Sequence, residues 1–383
     1  MNLLRIYQFR MPKSILFGLG AAEKVGERMK ELGGKRSLIV TDRHLRPSGA
    51  VEQMENNLKR AGIDALVYDE VITEPTTDQV NKGASIFRTE KCDSVVALGG
   101  GSCIDAGKGI ALLGTNPGEI GEYEGRGKMK TAKSPMIALP TTAGTGSELT
   151  WVSVIHDPRR NVKFLIYSPH LVPEEAIEDP LLTVSMPPGV TMSSGMDALT
   201  HAIEGYISTR DPHVGYGSPP LIDFLAIPAV ELISKNLRIA WADGENIEAR
   251  SNMLLGQLLA GLTFGNSGTA LVHGMARPLG AHFHVPHGLA NAILLPHGVE
   301  YTYMAAPEKF AQIAQAMGED IQGLSPLAAA GKAVAAVKKL CSDIRVPRLR
   351  ELGIEEKEYI RLTPQMAKDG IASGTPQVNP RKP

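Results

Sequence analysis

Short apolar runs alternate with amphipathic stretches through the first half of the chain. Ser37-Leu38-Ile39-Val40-Thr41-Asp42 reads as a buried strand, residues 49–61 as the helix after it, and Ala65-Leu66-Val67-Tyr68 as the next strand. A helix near 77–89 precedes a third strand, Ser94-Val95-Val96-Ala97-Leu98, which Gly99-Gly100-Gly101-Ser102 closes before a helix beginning near Ile104. Pro135-Met136-Ile137-Ala138-Leu139 supplies a fourth strand. Runs that are apolar throughout belong to strands buried on both faces, and intervening helices let such strands lie parallel. From about residue 188 the pattern changes. Stretches rich in Ala, Leu and Ile at 221–238, 248–263 and 307–317 repeat at helical spacing, and strand candidates become rare. The expectation is an α/β domain with a parallel sheet over residues 1–187 and an all-helical domain over 188–383, divided at Met186-Pro187-Pro188.

Bulk properties narrow the function without naming it. A chain of 383 residues is long for one hydrophobic core, so two domains are expected. With 43% hydrophobic and 21% charged residues the composition is that of a soluble globular protein. A net charge of −1 offers no field to gather nucleic acid or an anionic membrane. Cys92, Cys103 and Cys341 are too few and too scattered for a disulfide framework or a thiolate metal site, which suits a reducing compartment. Met1-Asn2-Leu3-Leu4-Arg5-Ile6-Tyr7-Gln8-Phe9-Arg10 lacks the apolar core of a secretion signal, and no run approaches the length of a membrane span. A cytoplasmic protein is expected.

Candidate chemistry lies in two places. Gly99-Gly100-Gly101-Ser102 stands between a strand and a helix, where backbone N–H groups and the helix dipole attract phosphate. Asp105 and Lys108 lie on the first turns behind it. The same composition also serves tight packing, and neither a G-x-G-x-x-G fingerprint nor a P-loop is present. Pro140-Thr141-Thr142-Ala143-Gly144-Thr145-Gly146-Ser147-Glu148 is a second polar turn, able to hydrogen-bond a pyrophosphate or nicotinamide or to be a plain turn. Asp42, at a strand end, suits a ribose 2′-hydroxyl and repels a 2′-phosphate, or simply caps a turn. In the second half, Asp197 and His201 sit four apart in Gly195–Glu204, a stretch that reads as a helix start, so their side chains share a face. His273 and His287 follow, and five of the ten histidines fall between residues 273 and 297. One carboxylate with three imidazoles suits a divalent transition ion. Spacing alone leaves a set of satisfied core histidines equally open.

Taken together, these ordered motifs resemble the iron-containing (group III, metal-dependent) alcohol dehydrogenase family over nearly the whole chain. The resemblance rests on Gly99–Ser102 with Asp105, on Pro140–Glu148, on Asp197-Ala198-Leu199-Thr200-His201-Ala202-Ile203-Glu204, and on His273 through His287 into Ala290-Asn291-Ala292-Ile293-Leu294-Leu295-Pro296-His297. It implies a Rossmann-like N-terminal domain and a helical C-terminal domain, in the architecture shared with dehydroquinate synthase. It implies Asp197, His201, His273 and His287 as metal ligands, with Fe²⁺ the expected ion and Zn²⁺ an alternative. For the cofactor, NAD(H), it implies Asp42 at the adenosine ribose, Gly100, Gly101, Ser102 and Asp105 at the pyrophosphate turn, and Thr141, Thr142, Thr150 and Lys163 around the nucleotide. The expected activity interconverts a short-chain alcohol and its aldehyde or ketone by hydride transfer, in a homo-oligomer, most simply a dimer. A metal- and NAD-dependent lyase and a non-catalytic nucleotide or metal binder are the alternatives.

Three departures from the family pattern stand out. Relatives carry a second histidine four residues after the third ligand, where this chain has Arg277, a fixed cation suited to an anionic group on the substrate or to a surface ion pair. The segment from Ser208 to Pro220 is longer than usual, and the C-terminal stretch from Gly370 to Pro383 stops where relatives add a helix. Trp151, Val152 and Phe264 are large apolar residues that line a narrow pocket or belong to the core.

Overall fold

Alternation within the apolar runs decides how the first part of the chain is layered. A computed structural model describes residues 7–71, 74–160, 162–209 and 219–383. In chain order the elements are β1 (Ser14–Phe17), α1 (Val25–Glu31), β2 (Arg36–Val40), α2 (Ala50–Arg60), β3 (Asp64–Tyr68), α3 (Thr77–Thr89), β4 (Ser94–Gly99), α4 (Gly101–Thr115), β5 (Gly125–Arg126), β6 (Met136–Pro140), β7 (Val152–Asp157), β8 (Val162–Tyr167) and β9 (Glu175–Glu178). Six of the strands form one parallel sheet in the order β1-β9-β6-β4-β2-β3. Ile39, Val96, Leu98, Ile137 and Leu139 face a core with Val25 and Met29 of α1 and Val51, Met54 and Leu58 of α2. Their neighbours Leu38, Val40, Val95, Ala97, Met136 and Ala138 face the opposite core, with Val80, Ala84 and Phe87 of α3 and Ile104 and Ile110 of α4. Both faces are buried, which is why the runs read as continuously apolar.

The α/β part differs from the sequence expectation in its second sheet and in the start of one helix. β7 and β8 pair antiparallel and join β5 in a separate three-stranded sheet. Helix α4 begins at Gly101, three residues before the expected start, because Gly100 takes an extended N-cap conformation directly after β4. Gly99, at φ +149° with Cys103 Sγ only 2.6 Å from where a Cβ would sit, makes this abrupt strand-to-helix turn.

One compact unit comprises Arg10–Thr142 and Gly146–Met186. The other comprises Pro187–Pro383 with Ala143–Thr145 and, of the N-terminal segment, the described residues 7–9. Its helices are α5 (Pro188–Ile207), α6 (Pro220–Ala242), α7 (Ile247–Ser267), α8 (Leu271–Phe283), α9 (His287–Thr302), α10 (Pro307–Ala316), α11 (Pro326–Asp343) and α12 (Glu356–Ala372). No strand occurs in this unit among the described residues. Helix α5 is buried on nearly every side and packs against α6, α7 and α9, as a helix apolar all round must. It starts at Pro188, whose fixed φ suits a first turn. Gly195–Glu204 is therefore helix interior, not a helix start. Gly195 serves close packing: a Cβ there would lie 2.4 Å from Leu237 of α6 and 2.9 Å from Met253 of α7.

Candidate metal centre and dinucleotide turns

Asp197 and His201 project from one face of α5, one turn apart, while His273 sits in the first turn of α8 and His287 opens α9. Asp197, His273 and His287 offer ligand atoms that all lie within 4.8 Å of one another. Asp197 Oδ1 is 3.6 Å from His273 Nε2 and 3.8 Å from His287 Nε2. His201 is outside that set of three, but its Nε2 lies 3.0 Å from His273 Nε2. A tetrahedral ion with bonds of ~2.1 Å separates its ligand atoms by about 3.4 Å. The observed spacings lie close to that edge length, so Asp197, His273 and His287 fit a single transition-metal ion, with His201 beside His273.

The protonation state of the site agrees. His273 Nδ1 lies 2.7 Å from Glu204 Oε2, which also accepts the backbone N–H of Ala270 (2.8 Å), while Oε1 of the same carboxylate accepts that of Val272 (2.5 Å). Nδ1 therefore carries the proton and Nε2 presents a lone pair, as a carboxylate behind a metal-binding histidine ensures. His201 is held well below the usual imidazole range by burial and by the neighbouring His273. Desolvation also lowers His287, opposed by Asp197 and reinforced by His273, His201 and the Arg277 guanidinium. Phe264 stacks on His201 with ring centroids 3.9 Å apart at 17°, walling one side of the cluster.

Two residues of this centre escape a search for ligand types. Asn291 Nδ2 donates to Asp197 Oδ1 at 2.6 Å and lies 3.2 Å from both His273 Nε2 and His287 Nε2. Its Oδ1 is buried without a hydrogen-bond partner, so the amide is held by its donor end alone. Glu204, fully buried, caps the N-terminus of α8. The available signal was helical spacing: Glu204 follows Asp197 by seven residues and Asn291 follows His287 by four, each on its partner's face.

In the α/β unit, Gly100 caps α4 and Gly101 and Ser102 open it. Thr142 faces this turn, its Cγ2 and Oγ1 lying 3.5 and 3.6 Å from the position a Gly100 Cβ would take, and the Thr141 N–H donates to Gly99 O at 3.1 Å. Asp42 caps the 3-10 turn Arg43–Ser48 by accepting from the His44 N–H at 2.7 Å, the capping alternative for this residue. Asp105 is turned inward, accepting from Ser147 Oγ at 2.6 Å and from the Val154 N–H at 3.1 Å. The Thr150 hydroxyl is buried and accepts from Lys108 Nζ at 3.1 Å. Lys163, on β8, pairs with Glu74 at 2.5 Å. Trp151 tilts against Tyr167 and lies beneath the Arg10 and Arg126 guanidinium groups, while the Val152 carbonyl accepts from Lys108. Of the long segment after α5, residues 210–218 lie outside the described residues, as do residues 1–6 of the N-terminal stretch. No helix among the described residues is long and apolar enough to cross a membrane.

A parallel α/β unit with a glycine turn at the carboxyl end of β4, and a helical unit with a carboxylate–imidazole cluster spaced for one ion, are the frame of a metal- and nucleotide-binding protein. Residues 12–180 match the family model for iron-containing alcohol dehydrogenase, and residues 191–383 match that for the C-terminal part of the Fe-containing alcohol dehydrogenase family. The chain is 44% identical over 381 residues to 1,3-propanediol dehydrogenase of Klebsiella pneumoniae, spanning 99% of this chain and 96% of that protein. It is 38% identical over 371 residues to NAD-dependent methanol dehydrogenase of Bacillus methanolicus, spanning 97% and 96%. Among solved structures, 1,3-propanediol oxidoreductase superposes with a TM-score of 0.94 at 43% identity, over 99% of this chain and 97% of that one. The chain belongs to the iron-containing alcohol dehydrogenase family.

Proposed function

We propose that this protein is a metal-dependent, NAD(H)-linked dehydrogenase that interconverts a short-chain alcohol with its aldehyde or ketone. Residues 1–187 would form the dinucleotide-binding domain and residues 188–383 the metal-binding, catalytic domain. Asp197, His201, His273 and His287 would hold Fe²⁺, or Zn²⁺ where supply favours it. When bound, the ion supplies Lewis acidity toward an alcohol or carbonyl oxygen and the dinucleotide supplies the hydride acceptor or donor. The chain's own residues do the positioning. Glu204 keeps the His273 lone pair on Nε2, Phe264 shields the His201 ring, and the Gly100–Ser102 turn with Thr141, Thr142 and Lys163 would form the nucleotide surface, with Asp105 and Thr150 supporting it from behind. Asp42 would take the ribose 2′-hydroxyl and exclude a 2′-phosphate. The observation that carries this reading is the spacing of 3.0–3.8 Å among Asp197, His201, His273 and His287 ligand atoms, with the His273 tautomer fixed by Glu204.

Arg277, one turn beyond His273 on α8 and close enough to His287 to lower its pKa, refines the substrate class. A guanidinium there favours a short aldehyde that also bears an acidic group. A cytoplasmic homodimer is the proposed setting. The test is NADH consumption by protein reconstituted anaerobically with Fe²⁺ or Zn²⁺, against short neutral, hydroxylated and acid-bearing aldehydes. Turnover that disappears on chelation, with a lower KM for NADH than for NADPH, is expected. Failure of every aldehyde and alcohol with either ion would sink the dehydrogenase reading. An Arg277→His variant with an unchanged acidic-to-neutral kcat/KM ratio would remove only the acidic-substrate refinement.

A further inference from the structure

We propose that Lys108 is a positioning residue for the dinucleotide: its buried ammonium fixes the shape of the Ser147–Val152 segment and ties it to the helix that opens with the glycine turn. The inference rests on the reading of the α/β unit as a dinucleotide site. Lys108 is fully buried two turns into α4. Its Nζ reaches the Ser147 carbonyl at 2.6 Å, the Val152 carbonyl at 2.7 Å, and the Ser147 and Thr150 hydroxyls at 3.1 Å each. Three N–H donors thus serve four acceptors spread over six residues of chain. That stretch is a 3-10 turn, Ser147–Leu149, running into β7, with little regular pairing to define it. Removing the ammonium would take from the Ser147 and Val152 carbonyls their shortest hydrogen bonds, leaving Ser147 O the Thr150 N–H at 3.1 Å.

The surrounding charges support this role. Asp105 Oδ1 lies 3.8 Å from Nζ and accepts from the same Ser147 hydroxyl that receives Lys108. Burial pulls the Lys108 pKa down to about 8, opposed by Asp105 and Glu148, so the group is still mainly an ammonium at neutral pH. Asp105 and Thr150, both expected at the nucleotide, turn their polar atoms onto this anchor. They would act through Lys108 rather than by touching the cofactor. One helix thereby sets the register of two turns: its first residues carry Gly101 and Ser102, and its eighth holds the second turn in place. A binding surface assembled beforehand does not have to be ordered when the ligand arrives.

The experiment uses the full-length, metal-loaded protein. NADH and AMP dissociation constants are measured by fluorescence and calorimetric titration for wild type, Lys108→Met and Ser147→Ala. Loss of a charged donor should weaken NADH binding about 10–100-fold in K108M, and S147A, which removes one acceptor, about 3–10-fold. AMP, which needs only the adenosine end near Asp42, should bind as in wild type. Because only uniform binding is lost, KM for NADH should rise while kcat at saturating NADH holds. Folded K108M with wild-type NADH affinity, or AMP weakened in step with NADH, would overturn the anchor. If K108M does not fold, S147A decides, and an unchanged NADH affinity in S147A overturns it. Wild-type protein that binds neither NADH nor AMP would overturn the dinucleotide reading and this inference with it.

Discussion

Glu204 holds two structures at once with a single carboxylate. It accepts N–H groups at the start of α8, where a helix otherwise leaves its donors unpaired, and it takes the Nδ1 proton of His273 on that helix's first turn. The helix end and the tautomer of a metal-facing imidazole therefore depend on the same buried group. Glu204→Gln keeps the shape, but an amide presents only one acceptor oxygen and turns an NH2 toward donors it cannot satisfy. Metal affinity is expected to fall by about 10–100-fold, as for other losses of the partner behind a ligating histidine. Competition with a chromophoric chelator reads this directly, without recourse to activity. An E204Q protein that retains wild-type Zn²⁺ affinity would show that the His273 ring is oriented by packing alone. His201 offers the contrast: its ring is fixed by the face of Phe264, and its lowered pKa comes first from burial, with no carboxylate behind it.

Strand β9 shows how an element can belong to a sheet that its own residues do not advertise. Glu-Ala-Ile-Glu places two buried carboxylates in a central strand. Glu175 is satisfied by Arg28 at 2.8 Å, on α1, and Glu178 faces Glu148. Burial, and after it the neighbouring Glu148 charge, push the Glu178 carboxyl well above its ordinary value, and neither of its oxygens has a hydrogen-bond partner. A folded pKa raised above the unfolded one means that the native state binds more protons as pH climbs past the unfolded carboxyl value. Stability from this group therefore declines with rising pH until the folded value is passed. Glu178→Gln, neutral at every pH, should raise Tm at pH 8 by about 2–4 °C, the equivalent of roughly 1 kcal/mol, and by almost nothing at pH 5. Parallel Tm–pH curves for the two proteins would refute the raised Glu178 carboxyl. The same strand marks where sequence reading stops. β2, β3, β4 and β6 are legible because burial on both faces makes them apolar throughout. β9 was missed because its two carboxylates read as exposed, although Glu175 is answered by Arg28, remote in the chain, and Glu178 is buried beside Glu148, and β1 because four residues carry too little pattern. At the metal centre the four candidate ligands were legible as residue types. Glu204 and Asn291 were not, since only the folded packing of α5, α8 and α9 gives them neighbours.

Across the whole molecule the two kinds of chemistry fall on different compact units. All four candidate ligands and both of their supporting polar residues lie in the helical unit, whereas the glycine turn, Asp42 and the Lys108 network lie in the α/β unit. A ligand that binds the native state stabilises it by about 2.7 kcal/mol at a hundredfold excess over Kd. That stabilisation suppresses first the local openings that would break its own contacts. Zn²⁺ added to metal-free protein should therefore slow amide hydrogen exchange by up to about 100-fold in α5, the first turn of α8 and the start of α9. NADH should instead slow exchange at residues 99–105 and 146–152, the stretches joined through α4. The two patterns test the assignment of each site independently of turnover, which requires both ligands at once. Protection of the glycine turn by the metal alone, or of α5 and α8 by NADH alone, would mean that the ligands had been assigned to the wrong units, and a dehydrogenase built on that assignment would fall with it.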